Sequence, residues 1–401
     1  MSRVRTATFL KWQTLVLATG VVSLTALLLG GCGGGGTTVT APPSGFIQTG
    51  ATYVGSTTCQ ECHGNTYAQF TGAAPFAAGE TNAHGQIFTA VHGKTPAHGR
   101  ELTYGSGASC AACHTTGFGE ASGFKADGST PNLEGIGCEV CHGPGSKHAA
   151  AFGDVTQITK NVQAKYTCWN CHLSGFKLLN NGAPPAVNDD TLLAKAPNDG
   201  HIAPGHPQTL SLLGYQGFNL PQTPSPHATL SNTCLDCHFS SSNLNPSNGK
   251  VDHTNANLEP NTDRTRAECA ACHSGRADTA LQLGITKELI TLGGEDPANP
   301  GKAHPSGGGT DGVDPATGEL GLLPQYVKDN AASFTNPGTG LVDLSYKGNS
   351  ADPIVKAYKA ARYNYMYVVG DKSLGVHNPE LSSKLLADAK TYLANKSSAA
   401  Q

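Results

Sequence analysis

The chain has 401 residues, a formal net charge of −3 and 38% hydrophobic residues. This charge lacks the basic excess that a nucleic-acid partner requires. The apolar fraction is below the roughly 45–50% of ordinary globular domains, and Gly (50) and Pro (24) are abundant. Either much of the chain is loop, or something other than side chains fills the interior.

Residues 1–31 have the organisation of a lipoprotein signal peptide. A basic start precedes an apolar stretch, residues 14–29, that is short for a membrane span. The stretch ends in LGGC, which resembles a bacterial lipobox, the signal in which the cysteine, here Cys32, receives lipid. The alternative is an ordinary secretory signal with an incidental cysteine.

Residues 32–50 are predicted to form a lipidated, Gly-rich tether. Gly33 follows the cysteine, where an Asp would favour retention in the inner membrane. We therefore expect an outer-membrane lipoprotein of the cell envelope that faces the periplasm or the cell surface.

The other twelve cysteines form six C-x-x-C pairs, and a histidine follows each pair directly. The six motifs are Cys59, Cys62 and His63; Cys110, Cys113 and His114; Cys138, Cys141 and His142; Cys168, Cys171 and His172; Cys234, Cys237 and His238; and Cys269, Cys272 and His273. C-x-x-C-H is the attachment signature of c-type haem, in which two thiols bind one porphyrin and the histidine is the proximal iron ligand. Zinc sites and redox dithiols do not require the histidine, and a disulfide framework would not repeat one spacing. The sequence thus predicts six covalently bound haem c groups.

Six haems account for the composition, because the macrocycles can form the core that the side chains lack. The short intervals between motifs leave little room for a separate domain around each haem. We expect a mainly α fold with extensive irregular loops, a multihaem cytochrome c fold organised around a chain of stacked haems. Residues 51–275 form the hexahaem region, with a long loop at 181–224. Residues 276–401 form a C-terminal loop and helical region that packs on the haems.

Histidine is the expected sixth iron ligand. The mature chain has only Met366, whereas ten histidines remain outside the motifs. Local context selects six candidates for distal ligands and leaves out His98, His201, His253 and His304. The six are His84, His92, His148, His206, His227 and His377. For any one of them the alternative is a solvated surface histidine.

Two of the candidates have informative surroundings. His148 follows the third motif after a Gly-Pro-Gly turn, too close to swing round its own haem, so we expect it to bind a neighbouring one. His377 precedes a predicted helix that starts at Pro379, with Asn378 as its cap and an apolar face of Leu381, Leu385, Ala389 and Tyr392. A second helix is predicted over residues 354–369.

Three stretches resemble multihaem cytochromes of the cytochrome c-554 type over about residues 52–172. They are YVGSTTCQECHGNTY around Cys59, CAACHTTGFG at Cys110 and LEGIGCEVCHGPGSKH from Leu133. The resemblance implies electron transfer through stacked haems, with His84 and His148 as distal ligands of haems other than the nearest in sequence. Family members commonly have four haems, so the motifs at Cys234 and Cys269 go beyond that pattern. DKSLGVHNPE, residues 371–380, resembles a C-terminal element of several multihaem reductases.

These features favour an electron-transfer protein without catalytic residues, acting in anaerobic or extracellular metal respiration. Lipidation and six haems together look like outer-membrane cytochromes of metal-respiring bacteria. The expected partners are periplasmic or outer-membrane cytochromes and extracellular acceptors, with membrane attachment by the lipid anchor. Monomer, oligomer and filament all remain open. The alternative is a reductase of a nitrogen or sulfur oxyanion, which needs one haem with an open iron site.

The motif count predicts the haem load of the purified protein. Intact-mass spectrometry of the mature, denatured chain should show the mass of six haem groups added to the polypeptide, because thioether bonds survive unfolding. Four or fewer haems in fully matured protein would contradict the interpretation of the motifs.

Overall fold

The structure is a computed structural model, and it describes about half of the chain. The described residues are 50–71, 84, 114–125, 127–158, 167–169, 171–172, 207–215, 217–218, 220–230, 232–239, 253, 273, 279–294, 320–340, 342 and 352–395. All of them belong to one compact unit, residues 41–401. The predicted signal peptide and Cys32 lie outside the described residues.

Helices and irregular segments make up the described part of the chain. The α-helices are α1 (Ser56–Thr71), α2 (Cys138–His142), α3 (Ser146–Ala150), α4 (Gln208–Leu213), α5 (Cys234–His238), α6 (Thr279–Gly293), α7 (Leu322–Asp329), α8 (Ala331–Phe334), α9 (Pro353–Asp371) and α10 (Pro379–Ala394). Short 3₁₀ helices span Pro131–Leu133, Val155–Gln157 and Pro226–Thr229. Over these residues, β structure is limited to the bridges Thr115–Glu134 and Thr335–Val342, so the predicted mainly α fold with irregular segments is confirmed. None of the described helices has the length and apolar character needed to cross a bilayer.

The two longest C-terminal helices begin at side-chain caps. Asp352 accepts a hydrogen bond from the backbone N–H of Ile354 at 2.8 Å and starts α9. Asn378 accepts one from the N–H of Leu381 at 3.1 Å and starts α10. Each cap is followed by proline at the first helical position, where its missing N–H costs no intrahelical bond. Both predicted helices are confirmed, and the cap at Asn378 is the one that the sequence predicted.

The apolar core of the described residues is concentrated in the C-terminal helices α6, α7, α9 and α10, which pack against one another. Leu289 of α6, Ala361 of α9 and Leu385 of α10 are completely buried. The predicted apolar face of α10 is the buried one, with Leu381, Leu385, Ala389 and Tyr392 all in the core. The C-terminal region therefore has a side-chain core of its own.

The described residues of the motif-bearing N-terminal half contribute little core of this kind. Among them, from 50 to 172, the only buried hydrophobic side chains are Phe124, Leu133 and Trp169. These three side chains provide only a small part of the apolar burial that stabilises a folded region.

Part of the segment predicted as a long loop at 181–224 is helical instead. Helix α4 lies within it, and Thr209 to Leu213 are all buried. The following connection is bonded to the C-terminal helices, since Asn364 accepts a hydrogen bond from the N–H of Phe218 at 3.0 Å. The short apolar run is stabilised by this tertiary packing, which the Pro, Asn and Gly composition around it concealed.

Substitution of Leu385 tests the packing of α10. Leu385→Ala removes a completely buried side chain and should lower the free energy of unfolding by about 2–5 kcal/mol. Lys384→Ala is the matched control, because its side chain is largely exposed and its 3.4 Å ion pair with Asp388 contributes at most about 1 kcal/mol. When thermal unfolding is monitored by far-ultraviolet circular dichroism, only Leu385→Ala should have a clearly lower Tm than the wild type. Equal effects of both substitutions would contradict the packing described.

Candidate haem-binding sites

Each motif whose cysteines are described forms a helical turn. Helices α2 and α5 coincide with the third and fifth motifs, and the first lies within α1. In the fourth motif the N–H of His172 donates to the carbonyl of Cys168 at 3.0 Å, as in a helix. Residues three apart in a helix share a face, so both cysteines of a pair can reach one ligand. Cys59, Cys62, Cys138, Cys168 and Cys234 form no disulfide.

Five of the six motif histidines, the last residues of the C-x-x-C-H motifs, lie opposite a histidine from outside the motifs. We call these partners the facing histidines. The ring centroids are 6.2 Å apart for His63 and His148, 6.4 Å for His142 and His253, 5.8 Å for His172 and His84, 6.2 Å for His238 and His377, and 6.0 Å for His273 and His227. For the second motif the structure describes only His114.

The separation of the paired rings fits a metal ion between them. A metal–imidazole nitrogen bond is about 2 Å long, which puts the ring centroids of two ligands on opposite sides of a metal about 6 Å apart. The angle between the ring planes varies from 17° for His63 and His148 to 85° for His227 and His273, although the separation barely changes. Ordinary ring packing also reaches this separation. Ordinary packing does not explain why each of the five described pairs joins one motif histidine to one histidine from outside the motifs.

Hydrogen bonds at Nδ1 orient four of these histidines. Nδ1 lies 2.9 Å from the Asp154 carbonyl oxygen in His148, 3.1 Å from the Val376 carbonyl oxygen in His227, 3.0 Å from Gln208 Oε1 in His172 and 2.8 Å from Asp371 Oδ1 in His377. These oxygens accept hydrogen bonds, so Nδ1 carries the proton. Nε2 of each of these rings is then left with its lone pair, as metal-ligating histidines require.

Two of these histidines have shifted pKa values. Burial lowers the pKa of His172 below its ordinary value, against a smaller opposing effect of the Gln208 hydrogen bond. Burial also lowers the pKa of His377, but the charge and hydrogen bond of Asp371 outweigh it, and the net shift is upward. Asp371 therefore makes the ring of His377 more basic.

Trp169 provides a further sign that a group is accommodated beside the fourth motif. Trp169 stands between Cys168 and Cys171 in the sequence, and its side chain is 3% exposed. Its Nε1–H has no acceptor in the described part of the chain. A buried N–H without a partner is costly. A haem carboxylate is an acceptor that would satisfy it. The residues present therefore fit haem, both in their imidazole pairs and in this donor.

The sequence found four of the five facing histidines, His84, His148, His227 and His377. His92 and His206, also predicted, lie outside the described residues. His253 faces His142 but was not among the six candidates, because its context, KVDHTN, offers no helix cap, turn or nearby motif. Only the tertiary fold brings it to the third motif.

A buried carboxylate connects the first motif to the third. Glu139, within CEVCH, is 3% exposed. Its oxygens accept hydrogen bonds from the N–H groups of Val54 at 3.0 Å, Gly55 at 2.7 Å and Gly145 at 2.7 Å. Val54 and Gly55 precede α1, which contains His63, while Gly145 precedes α3, which contains His148. Glu139 thus fixes both segments whose histidines form a pair.

The motifs lie close to one another. The Cys59 and Cys138 thiols are hydrogen-bonded, which raises the pKa of Cys59 and lowers that of Cys138 to about 7. The Cys168 and Cys234 thiols are likewise hydrogen-bonded to each other, and this hydrogen bond lowers the pKa of Cys234 to about 6. These contacts join the first motif to the third and the fourth to the fifth.

Comparison with known proteins supports a cytochrome relationship for the N-terminal motifs. Residues 58–143, with three C-x-x-C-H motifs, match the family described as cytochrome c554 and c-prime. Cytochrome c-554 of Nitrosomonas europaea is 32% identical over a stretch that covers 16% of this chain and 34% of that protein. The predicted likeness to the cytochrome c-554 family is thus confirmed, but the match spans only about a third of that relative.

Two solved structures of multihaem cytochromes are also similar to this chain. An undecahaem cytochrome from the S-layer of Carboxydothermus ferrireducens has a TM-score of 0.41 and 16% identity, with 85% of this chain and 45% of that chain covered. The outer cell wall cytochrome OcwA has a TM-score of 0.29 and 16% identity, with 85% and 99% covered.

Replacement of Glu139 tests its role as a link between the first and third motifs. Glu139→Ala leaves three backbone N–H groups without their acceptor, at about 1–3 kcal/mol for each one that stays buried. The variant should therefore melt well below the wild type in a thermal scan. Glu134→Ala, which removes an exposed carboxylate five residues earlier, should leave Tm nearly unchanged. A Glu139→Ala protein as stable as this control would show that the three bonds are dispensable.

Proposed function

We propose that this chain is a multihaem c-type cytochrome that binds six haem c groups and transfers electrons at the cell envelope. The observation that carries the proposal is the set of five histidine pairs, each with a motif histidine on one side. The pairs have one separation, and the two partners come from different segments of the chain. The likeness of residues 58–143 to cytochrome c-554 supports the same proposal.

The motif cysteines would bind each haem covalently, and each histidine pair would supply its axial ligands. The pairs are His63 with His148, His142 with His253, His172 with His84, His238 with His377, and His273 with His227. His114 would be the proximal ligand of the remaining haem, with His92 and His206 as the predicted candidates for its distal side. When bound, haem supplies an iron that exchanges one electron between its ferric and ferrous states.

Closed axial positions favour electron transfer over substrate reduction. A histidine on each side leaves no coordination position for an oxyanion, and histidine rather than methionine ligation favours low potentials. The chain's own contribution is to hold the rings in place through their Nδ1 hydrogen bonds and to keep neighbouring sites close. The reductase alternative would need a haem whose second axial position is open.

The contacts between motifs support a continuous path for electrons. The first and third motifs touch through Cys59 and Cys138, and the fourth and fifth through Cys168 and Cys234. Cys141 interacts electrostatically with Cys168, and this interaction connects the third motif to the fourth. His227, which faces His273 of the sixth motif, donates a hydrogen bond from Nδ1 to the carbonyl oxygen of Val376. Val376 directly precedes His377, which faces the fifth motif. Five sites thus form one series in the order one, three, four, five and six.

The envelope location rests on the N-terminal sequence. The apolar stretch at residues 14–29 and the lipobox-like LGGC support export and lipidation of Cys32. The tether at residues 32–50 would then separate the lipid anchor from the haem-bearing region. Redox proteins of the periplasm or outer membrane and extracellular acceptors are the partners that fit this location.

Loss of one facing histidine tests the ligand assignments. His148→Ala should leave six haems attached but open one iron, because the thioether bonds and His63 remain. EPR spectroscopy of the oxidised protein should then show one high-spin haem that binds cyanide. Lys147→Ala is the control, since it changes the adjacent residue of α3 without touching a ring pair, and it should keep a fully low-spin spectrum. A low-spin spectrum for His148→Ala would contradict the assignment of His148.

A further inference from the structure

The four Nδ1 hydrogen-bond partners in the described sites differ in charge. His148 and His227 donate to the backbone carbonyls of Asp154 and Val376, and His172 donates to the side-chain amide of Gln208. These acceptors are neutral. His377 donates to the carboxylate of Asp371 at 2.8 Å. Of the four, His377 alone faces a full negative charge.

Asp371 is held firmly in place, although its location is electrostatically unfavourable. It is 1% exposed and is the last residue of α9, where the helix dipole disfavours an anion. Its second oxygen accepts a hydrogen bond from the hydroxyl of Ser373, and that hydroxyl oxygen accepts the backbone N–H of His377 at 3.1 Å. Both carboxylate oxygens are thus satisfied, and the ring and the backbone of His377 are each held by a hydrogen bond.

The same short segment supports two other sites, but only through neutral groups. The Gly370 carbonyl accepts a hydrogen bond at 3.2 Å from Nε2 of Gln208, whose Oε1 orients His172. The Val376 carbonyl orients His227. Residues 370–377 therefore support three neighbouring sites, one of them through Gln208, and the charge of Asp371 is directed at one.

We infer that Asp371 selectively lowers the reduction potential of the haem held by His238 and His377. The inference rests on the proposed function, because it requires iron at this pair. A hydrogen bond from Nδ1–H to a carboxylate makes the imidazole a stronger electron donor, which stabilises ferric over ferrous iron. Burial strengthens the effect, because water does not screen the charge. Asp371 therefore delays the reduction of this haem within the fourth-to-sixth part of the series.

The order of reduction has a consequence for electron flow. The site lies between those of the fourth and sixth motifs in the proposed series. An electron crosses a low-potential site in the middle of a path without remaining there. Electrons then accumulate on either side of it, and Asp371 controls how the two ends of the series are coupled.

The test is Asp371→Asn in the full haem-loaded protein, with each haem followed by an EPR-monitored redox titration. The asparagine amide keeps the shape of the Asp371 carboxylate, and its oxygen can still accept a hydrogen bond from Nδ1–H of His377. The substitution removes the negative charge. One haem should titrate at a higher potential, with its ratio of reduced to oxidised iron raised roughly tenfold at a fixed applied potential, as expected from exchanging a charged for a neutral acceptor. The other haems should keep their potentials, and all should remain low-spin.

A reciprocal variant keeps the inference testable if Asp371→Asn is poorly folded. Gln208→Glu places a carboxylate at Nδ1 of His172 and should lower the potential of that haem instead. Ser373→Ala is the matched control, because it retains the charge of Asp371 and should cause a smaller change than Asp371→Asn.

Three outcomes would overturn the inference. The first is an unchanged reduction potential of the His238–His377 haem in Asp371→Asn. The second is a high-spin haem in that variant, which would make Asp371 only a support for His377. The third is an unchanged potential of the His172 haem in Gln208→Glu. Each of these leaves the proposed function intact if the wild type carries six low-spin haems. A wild type without them would instead refute the proposed function itself.

Discussion

In the proposed sites, two imidazole rings that share one iron must lie about 6 Å apart on opposite sides of it, and the five described histidine pairs have this separation. Every facing histidine comes from a segment remote in sequence from its motif histidine, as with His63 and His148 or His238 and His377. Each pair therefore joins distant parts of the chain. With haem bound as proposed, the pairs would supply long-range connections of the kind that a sheet or a large side-chain core provides in other folds, and short helical turns would suffice for the motifs themselves.

Polar contacts support the described histidine pairs in two regions. Near the first and third motifs, Glu139 replaces apolar packing with hydrogen bonds to the backbone of two other segments. Farther along, α9 and α10 have a core of their own, and the end of α9 with the connection to α10 carries groups that orient His172, His227 and His377. Asn378 fixes this connection, since it caps α10 and also donates to the carbonyls of Ser211 and Thr223 at 2.9 Å and 2.7 Å. Support for the rings thus comes from buried polar contacts.

Local features of the site could be predicted from the sequence, and tertiary ones could not. The motif histidines and the cap and buried face of α10 follow from spacing and from residue types within a few positions. His148 and His377 were recognisable because a turn or a cap stands next to each. His253 has no such neighbour, and helix α4 was concealed by the composition around it. Glu139 and Asp371 both lie in stretches that the sequence analysis singled out, but their roles depend on backbone and ring atoms that only the fold brings to them.

The central claim is that paired histidines close both axial positions of the five haems whose two histidines are described. Near-infrared magnetic circular dichroism of the oxidised wild-type protein tests it most directly, because the energy of the ligand-to-iron charge-transfer band identifies the two axial ligands. The account predicts bands of histidine–histidine ligation with an intensity that corresponds to at least five low-spin haems. A high-spin signal or a histidine–methionine band from more than one haem would contradict it.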